Sequence, residues 1–203
     1  MPLVIATTNP HKAVEIDELL SKLDVLVLTP DDFTRWPEVE EDGSTFAQNA
    51  LKKATTVYRE FGIPAMADDS GLEVDVLGGE PGVLSARYAG VQGDYAANNE
   101  KLLRMLDGVP KSRRTARFRC AIAIVWGHRK DERAIVEAVA RGRIVAKPKG
   151  RGGFGYDPLF LYPKLGKTFA QLSRKDKSVV SHRGRALRRA KTVLRRLART
   201  GVI

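Results

Sequence analysis

Three stretches of this chain carry side chains of the right kind and spacing for chemistry on a phosphorylated substrate. The first is Thr7-Thr8-Asn9-Pro10-His11-Lys12, which follows the apolar run from Leu3 to Ala6. Pro10 suits the first position of a helix, and Thr8 or Asn9 suits its cap. N–H groups at such a helix end, the helix dipole and Lys12 together favour an anion. Taken by itself the stretch reads as a capped turn. It is not a Walker A loop, because the glycines and the GK[ST] ending are missing.

The second feature is two groups of carboxylates. Glu40 and Glu41 stand ahead of a helix, and Asp68 and Asp69 end a short apolar run, Ala65 to Ala67. Hard Mg²⁺ takes oxygen ligands, usually one or two carboxylates completed by water and substrate phosphates. Crowded carboxylates raise one another's pKa and a nearby lysine lowers it, so one of them could serve as a base for water. The plain alternative is that Asp68 or Asp69 caps the next turn and the glutamates are solvated surface.

The third is Gly152-Gly153-Phe154-Gly155-Tyr156-Asp157-Pro158. Glycines let backbone approach a ligand, and Phe154 offers a flat face on which a base can stack. Asp157 could accept hydrogen bonds from the edge of that base, while Tyr156 also reads as a core aromatic. Downstream, Lys175, Lys177, His182 and Arg183 could hold phosphate or a purine carbonyl. His182 alone reads as a helix cap or a surface histidine.

The elements that must position these groups follow from periodicity. Leu3 to Ala6 reads as a buried strand. A helix follows over His11 to Lys22, with Val14, Ile16, Leu19, Leu20 and Leu23 near helical spacing. Asp24 to Leu28 alternates toward a second strand. Thr45 to Glu60 reads as a helix with Phe46, Ala50, Ala54 and Val57 on one face and Gly62 at its stop. Ala65 to Ala67 reads as a brief strand, and Leu72 to Leu77 alternates into the turn-rich Gly78 to Gly82. Ala96 to Leu106 is helical. Arg117 to Trp126 and Ala134 to Val145 form a candidate hairpin across His128 to Glu132. Leu159 to Leu161 is a short strand. A last helix starts near Ser181, with Leu187, Ala190, Leu194, Leu197 and Gly201 in register. Alternating strands and helices define an α/β chain with a mixed sheet. With no repeat or linker, residues 1–203 read as one domain, and two lobes around a central cleft suit polar motifs at segment ends.

Composition narrows the classes. The 203 residues suffice for a core without staples, and no apolar stretch approaches a membrane span. The N-terminus lacks a signal-peptide pattern. Cys120 is the only cysteine, which excludes an intrachain disulfide and a two-cysteine zinc site. A reduced, cytoplasmic setting is the simplest inference. The formal charge of +11 raises nucleic-acid binding, and eight basic residues with no acidic one lie between Arg183 and Arg199. The acidic runs at 38–42 and 68–69 argue for a metal–phosphate enzyme instead, with the basic tail a solvated helix face.

TTNPHK, EEDGSTFAQNALKKA, ADDSGLEVDVLGGEPGVLSARYAG, GGFGYDPLF and KSVVSHRGRAL, in that order, resemble the successive signatures of the inosine triphosphate pyrophosphatase family. The resemblance runs from Ile5 to about Leu187. It implies Mg²⁺-dependent hydrolysis of non-standard purine nucleoside triphosphates (ITP, dITP, XTP) to the monophosphate and pyrophosphate. It also implies a homodimer and a long mixed central sheet with flanking helices, forming two lobes around a nucleotide-binding cleft. By position, Asp69 is similar to the family's general base and metal ligand, and Glu41 with Glu40 to the acidic partner for the metal. Lys53 matches a lysine near the triphosphate, and Thr7, Thr8, Asn9, Pro10, His11 and Lys12 match the phosphate-binding segment. Ser70, Phe154, Gly155, Tyr156, Asp157, Lys177, His182 and Arg183 match positions that contact nucleotide and base. Thr8 stands where a glycine is common, and Ala140-Arg141-Gly142 replaces a segment that often carries an aromatic. The alternatives are a related nucleotide pyrophosphatase with another base preference and, ranked below it, a basic nucleic-acid-binding protein.

Overall fold

The computed structural model describes residues 2–20, 23, 25–130 and 132–201. Lys22, Asp24 and the side chain of Leu19, parts of the expected first helix and second strand, lie outside the described residues, as does Asp131 in the expected hairpin turn. Seven strands among the described residues form one sheet: β1 (Pro2–Ile5), β2 (Leu26–Leu28), β3 (Ala65–Val74), β4 (Thr115–Val125), β5 (Arg133–Ile144), β6 (Phe160–Tyr162) and β7 (Lys167–Thr168). Their order is β2-β1-β3-β4-β5-β6-β7. β1 runs parallel to both β2 and β3, with Val4 opposite Leu28 and Ala65, whereas β5–β6 and β6–β7 are antiparallel. The sheet is therefore mixed, and the fold is α/β with flanking helices.

The helices are α1 (Pro10–Leu20), α2 (Phe46–Phe61), α3 (Tyr95–Met105), α4 (Arg174–Val180) and α5 (His182–Arg199). The 174–180 helix is separate from the one expected near Ser181. The chain breaks at Ser181, an extended residue (ψ 158°), before α5 begins. Gly201, expected in register with the last helix, lies beyond its end. Gly62 ends α2 in the left-handed region, with its N–H bonded to the Tyr58 carbonyl. No helix among the described residues is long and apolar enough to cross a membrane.

The chain divides into two compact units. Met1–Asp69, Cys120–Ala138 and Arg183–Ile203 make the first; Ser70–Arg119 and Val139–His182 make the second. The core of the first packs Leu3, Ile5, Ile16, Met66, Ile122, Ile124, Leu187 and Leu194. The second is built on aromatics, with the Phe118 ring 4.7 Å from Phe160 and 5.8 Å from Phe169. Ala140 and Gly142 on β5 make room for this cluster. A Cβ at Gly142 would come within 2.4 Å of the Leu161 carbonyl oxygen and 2.5 Å of the Phe160 ring. The Phe160 ring thus occupies the space a side chain at 142 would need.

β3 overturns one expectation. The strand does not stop at Ala67 but continues through Asp68-Asp69-Ser70-Gly71 to Val74. Neither aspartate caps a turn. Inside a strand, neighbours point to opposite faces, so Asp68 and Asp69 enter different surroundings.

Candidate active site

The first unit gathers the charged groups. Asp69 is buried on β3. Its Oδ1 lies 3.3 Å from Lys53 Nζ, and its Oδ2 accepts a hydrogen bond from Asn49 Nδ2 at 3.2 Å. Lys53 Nζ also donates to Glu41 Oε1 at 3.1 Å. Thr45 caps α2, accepting from the Gln48 N–H, so the helix starts where the acidic segment ends. Asn49 and Lys53 are one turn apart and share a face; both reach Asp69. Lys52 Nζ holds Asp42 at 2.7 Å.

Asp68 is held differently. Lys12 Nζ lies 3.2 Å from its Oδ1, and Arg183 Nε donates to its Oδ2 at 3.1 Å. Arg183 Nη1 also donates to Glu15 Oε2 at 2.5 Å. Burial alone would raise the Asp68 pKa, but Lys12, Arg183 and Lys53 outweigh it and hold the carboxyl well below the usual range. For Asp69 burial wins over Lys53 and Lys12, and its pKa is raised. Burial opposes the charge on Lys53, yet Asp69, Glu41 and Asp68 keep its pKa above the ordinary lysine value. Adjacent carboxylates with pKa values pushed in opposite directions are a pattern of acid–base sites. Lys12 and Arg183 thus favour the ionised form of Asp68, whereas burial disfavours the ionised form of its neighbour Asp69.

The Thr7–Lys12 segment forms the predicted capped helix entry, and Asn9 is the cap. Its Oδ1 accepts from the His11 and Lys12 N–H groups at 3.0 and 3.3 Å, while Thr7 Oγ1 accepts from Asn9 N–H. Those two amides, expected to face an anion, are therefore taken by Asn9. Thr8, Pro10 and His11 are exposed beside them.

The second unit holds the residues expected at the base. Gly153 has a positive φ of 71°, and a Cβ there would fall 2.0 Å from Asp157 Oδ2, so only glycine fits. Asp157 Oδ2 accepts from Phe154 N–H at 2.9 Å and from Lys177 Nζ at 2.7 Å. The buried Lys177 lies 4.9 Å from the centre of the half-buried Phe154 ring, a cation–π distance. Tyr95 approaches the same ring at 6.0 Å, and Asn99 Nδ2 donates to the Gly155 carbonyl at 2.9 Å. Ser70 is half-buried on β3.

Several expected roles look different in place. Glu40 is exposed and is not brought to Asp69, whereas half-buried Glu41 is tied to Asp69 through Lys53. Asp157 spends Oδ2 on its own loop and on Lys177. Tyr156 is buried, with its hydroxyl donating to the Ser85 carbonyl at 3.0 Å. His182 is neither a surface histidine nor free of the core: it is buried and stacked 4.5 Å from Phe118 at 10°. Arg183, expected at the base, is committed through Nε and Nη1 to Asp68 and Glu15. Lys175 is exposed. Asn49, Glu15, Tyr95 and Asn99 were not singled out from the sequence. Only Asn49 had a readable signal, its position one turn before Lys53.

Glu41 and Asp69 converge on a single ammonium. Two carboxylate oxygens around one positive charge are a donor set suited to a hard divalent cation. No group of three or more histidine, cysteine or acidic residues suited to a metal occurs among the described residues. The rest of such an ion's shell would fall to water and phosphate oxygens.

This arrangement has relatives. A dITP/XTP pyrophosphatase of Desulforamulus reducens is 51% identical over 197 residues, covering 97% of each chain. Its namesake in Geobacillus kaustophilus is 51% identical over 185 residues, 91% of this chain and 90% of that one. The solved HAM1 protein of Coxiella burnetii superposes with a TM-score of 0.87 at 39% identity, covering 97% of this chain and 99% of its own. The model of the Ham1 family matches residues 3–193, and with these near-full-length likenesses it establishes that the chain belongs to the Ham1 family.

Proposed function

We propose that this chain is a pyrophosphatase that hydrolyses the non-standard purine nucleoside triphosphates dITP, ITP and XTP to monophosphate and pyrophosphate. The curated relatives named dITP/XTP pyrophosphatase over almost the whole chain support the substrate class. The observation that carries the chemistry is Asp69, 3.3 Å from a lysine that also holds Glu41.

In this reading Asp69 is the general base. Water adds to phosphorus, its proton passes to Asp69, and the bond between the α- and β-phosphates breaks, so pyrophosphate leaves with the bonding electrons. A raised pKa makes Asp69 a better proton acceptor than Asp68, whose carboxylate is stabilised on both oxygens. Lys53 and Lys12 bring positive charge to the phosphate oxygens and the leaving group. Glu41 and Asp69 would hold Mg²⁺, which when bound neutralises phosphate charge and orients the triphosphate. Phe154 offers its face to the purine, and Lys177 offers donors suited to a 6-oxo group. A 6-amino group would leave such donors unpaired, which selects against adenine. We further infer a homodimer acting on free nucleotides in the cytoplasm. Light scattering on a sizing column tests the dimer.

The experiment for the activity is hydrolysis of dITP, ITP, XTP, GTP and ATP with and without Mg²⁺, with separate detection of phosphate and pyrophosphate. Pyrophosphate release from the first three, dependent on Mg²⁺, is expected. Free phosphate as the first product, or equal rates with ATP, would overturn the reading.

A further inference from the structure

Asn49 has no assigned part in the chemistry, yet it is fully buried and uses both ends of its amide. Nδ2 donates to Asp69 Oδ2 at 3.2 Å, and Oδ1 accepts from the Gly43 N–H at 2.8 Å. One side chain thus joins the carboxylate on β3 to the end of the acidic segment that carries Glu41. The same segment is tied to α2 at three further places. Ser44 N–H donates to Gln48 Oε1 at 2.9 Å, Lys52 holds Asp42, and Lys53 holds Glu41.

The contacts around Asn49 differ from the other three. Lys52–Asp42 is exposed, and Lys53 is an ammonium whose charge the reaction itself would draw on. Asn49 is a short neutral side chain whose amide is planar, so fixing one end fixes the other. A donor on Oδ2 also sets the rotation of the Asp69 carboxylate, and with it the direction in which Oδ1 points. Gly43 is part of this device. A Cβ there would lie 2.5 Å from Asn49 Oδ1 and 2.9 Å from Gln48 Cβ. Its φ is not positive. Glycine is required here for the close approach of Asn49 and not for the backbone conformation.

We propose that Asn49 is a positioning residue: it fixes the Asp69 carboxylate and locks the Glu41 segment to it through Gly43, so that base and acidic partner keep one geometry. The proposal rests on the reading of Asp69 as the base. A residue that orients a reacting carboxylate changes turnover more than substrate affinity. Losing such an outer partner costs about 10- to 100-fold in activity.

The test uses Asn49→Ala, Asn49→Asp, Gly43→Ala and the double variant Asn49→Ala/Gly43→Ala, assayed with dITP below each protein's unfolding temperature. Asn49→Ala should lower kcat by about 10- to 100-fold with KM within about threefold of wild type. Asn49→Asp keeps an acceptor for Gly43 but cannot donate to Asp69, and should lose at least as much. Gly43→Ala leaves the asparagine in place but crowds it, and should lower kcat in the same direction. The double variant should be no worse than Asn49→Ala alone, because both changes break one linkage.

A second readout needs neither metal nor substrate. The Gly43 amide should exchange with solvent at least about tenfold faster in Asn49→Ala than in wild type. Turnover of Asn49→Ala within about twofold of wild type, multiplicative losses in the double variant, or an unchanged Gly43 exchange rate would each overturn the proposal. If Asn49→Ala does not fold, Gly43→Ala and the wild-type exchange rate decide: fast exchange in wild type, or full activity in Gly43→Ala, sinks it. A wild-type protein inactive on all five nucleotides would refute the functional reading and this role with it. An active wild type beside an unimpaired Asn49→Ala refutes this role alone.

Discussion

Two neighbouring aspartates in one strand sit in opposite electrostatic surroundings, and their substitutions should separate the tasks proposed for them. Asp69→Asn removes the proton acceptor but keeps shape and burial. It should still bind dITP, more weakly in Mg²⁺ because Asp69 is also a proposed ligand of the ion, and turn over about 10²- to 10⁴-fold more slowly, as read by calorimetry and single-turnover kinetics. Asp68→Asn leaves Lys12 and Arg183 facing a neutral group in a buried place. Breaking a buried pair in this way costs about 3–5 kcal/mol, so urea unfolding should show a large loss of stability. The pH dependence follows from the same geometry. Asp68 is held ionised in the folded state below its ordinary pKa, so the unfolded chain takes up its proton first as pH falls. Its stabilising contribution is complete above the usual carboxylate range and drains away as pH drops through that range toward the lowered value. The urea midpoint of wild type should therefore fall more steeply below about pH 4 than that of Asp68→Asn. Parallel curves for the two proteins would contradict this account.

At the scale of elements, the periodic segments were readable and the charged ones were not. α2 and its Gly62 stop follow from apolar spacing and a glycine, both local signals. Local propensity ends β3 at Ala67 because two aspartates are poor strand formers, whereas the strand runs on to Val74. They are tolerated because Lys12, Lys53 and Arg183 neutralise them, and those residues come from parts of the sequence far from 68–69. The ion pairs of Arg183 are not readable for the same reason: its partners, Glu15 and Asp68, are distant in sequence. The glycine loop was legible as a loop, but the closure of Asp157 onto Lys177 was not, because no local pattern encodes that pairing. β5 gives a test at this scale. Gly142→Ala would drive a methyl into the Leu161 carbonyl and the Phe160 ring, and overpacking of this kind costs about 1–3 kcal/mol. Thermal unfolding should show the drop, with nucleotide selectivity unchanged in the folded protein. A neutral or stabilising Gly142→Ala would mean that Phe160 does not fill that space.

For the whole molecule the question is what a charge of +11 does. Much of it lies on α5, where Ala186, Leu187, Ala190, Leu194 and Leu197 are buried while Arg188, Arg189, Arg195, Arg196 and Arg199 are exposed. One face builds the core of the first unit and the other meets water, as the solvated-face reading of the tail expects. Arg183 is the exception, drawn inside by Asp68. A field of this sign should raise the encounter rate of a polyanionic nucleotide without touching the chemical step, and salt screens exposed charges over about 8 Å at physiological ionic strength. The triple variant Arg195→Gln/Arg196→Gln/Arg199→Gln should therefore keep kcat for dITP within about twofold, since surface changes of this kind shift energies by roughly 0.5 kcal/mol or less. Its kcat/KM should fall modestly at low salt and converge on wild type as salt is added. The basic-tail alternative makes a different demand: salt-sensitive binding to DNA that vanishes in the triple variant. DNA retention alone would add a weak electrostatic property to an enzyme. A tenfold loss of kcat in the triple variant would instead place the α5 arginines in the chemistry, which their exposure argues against.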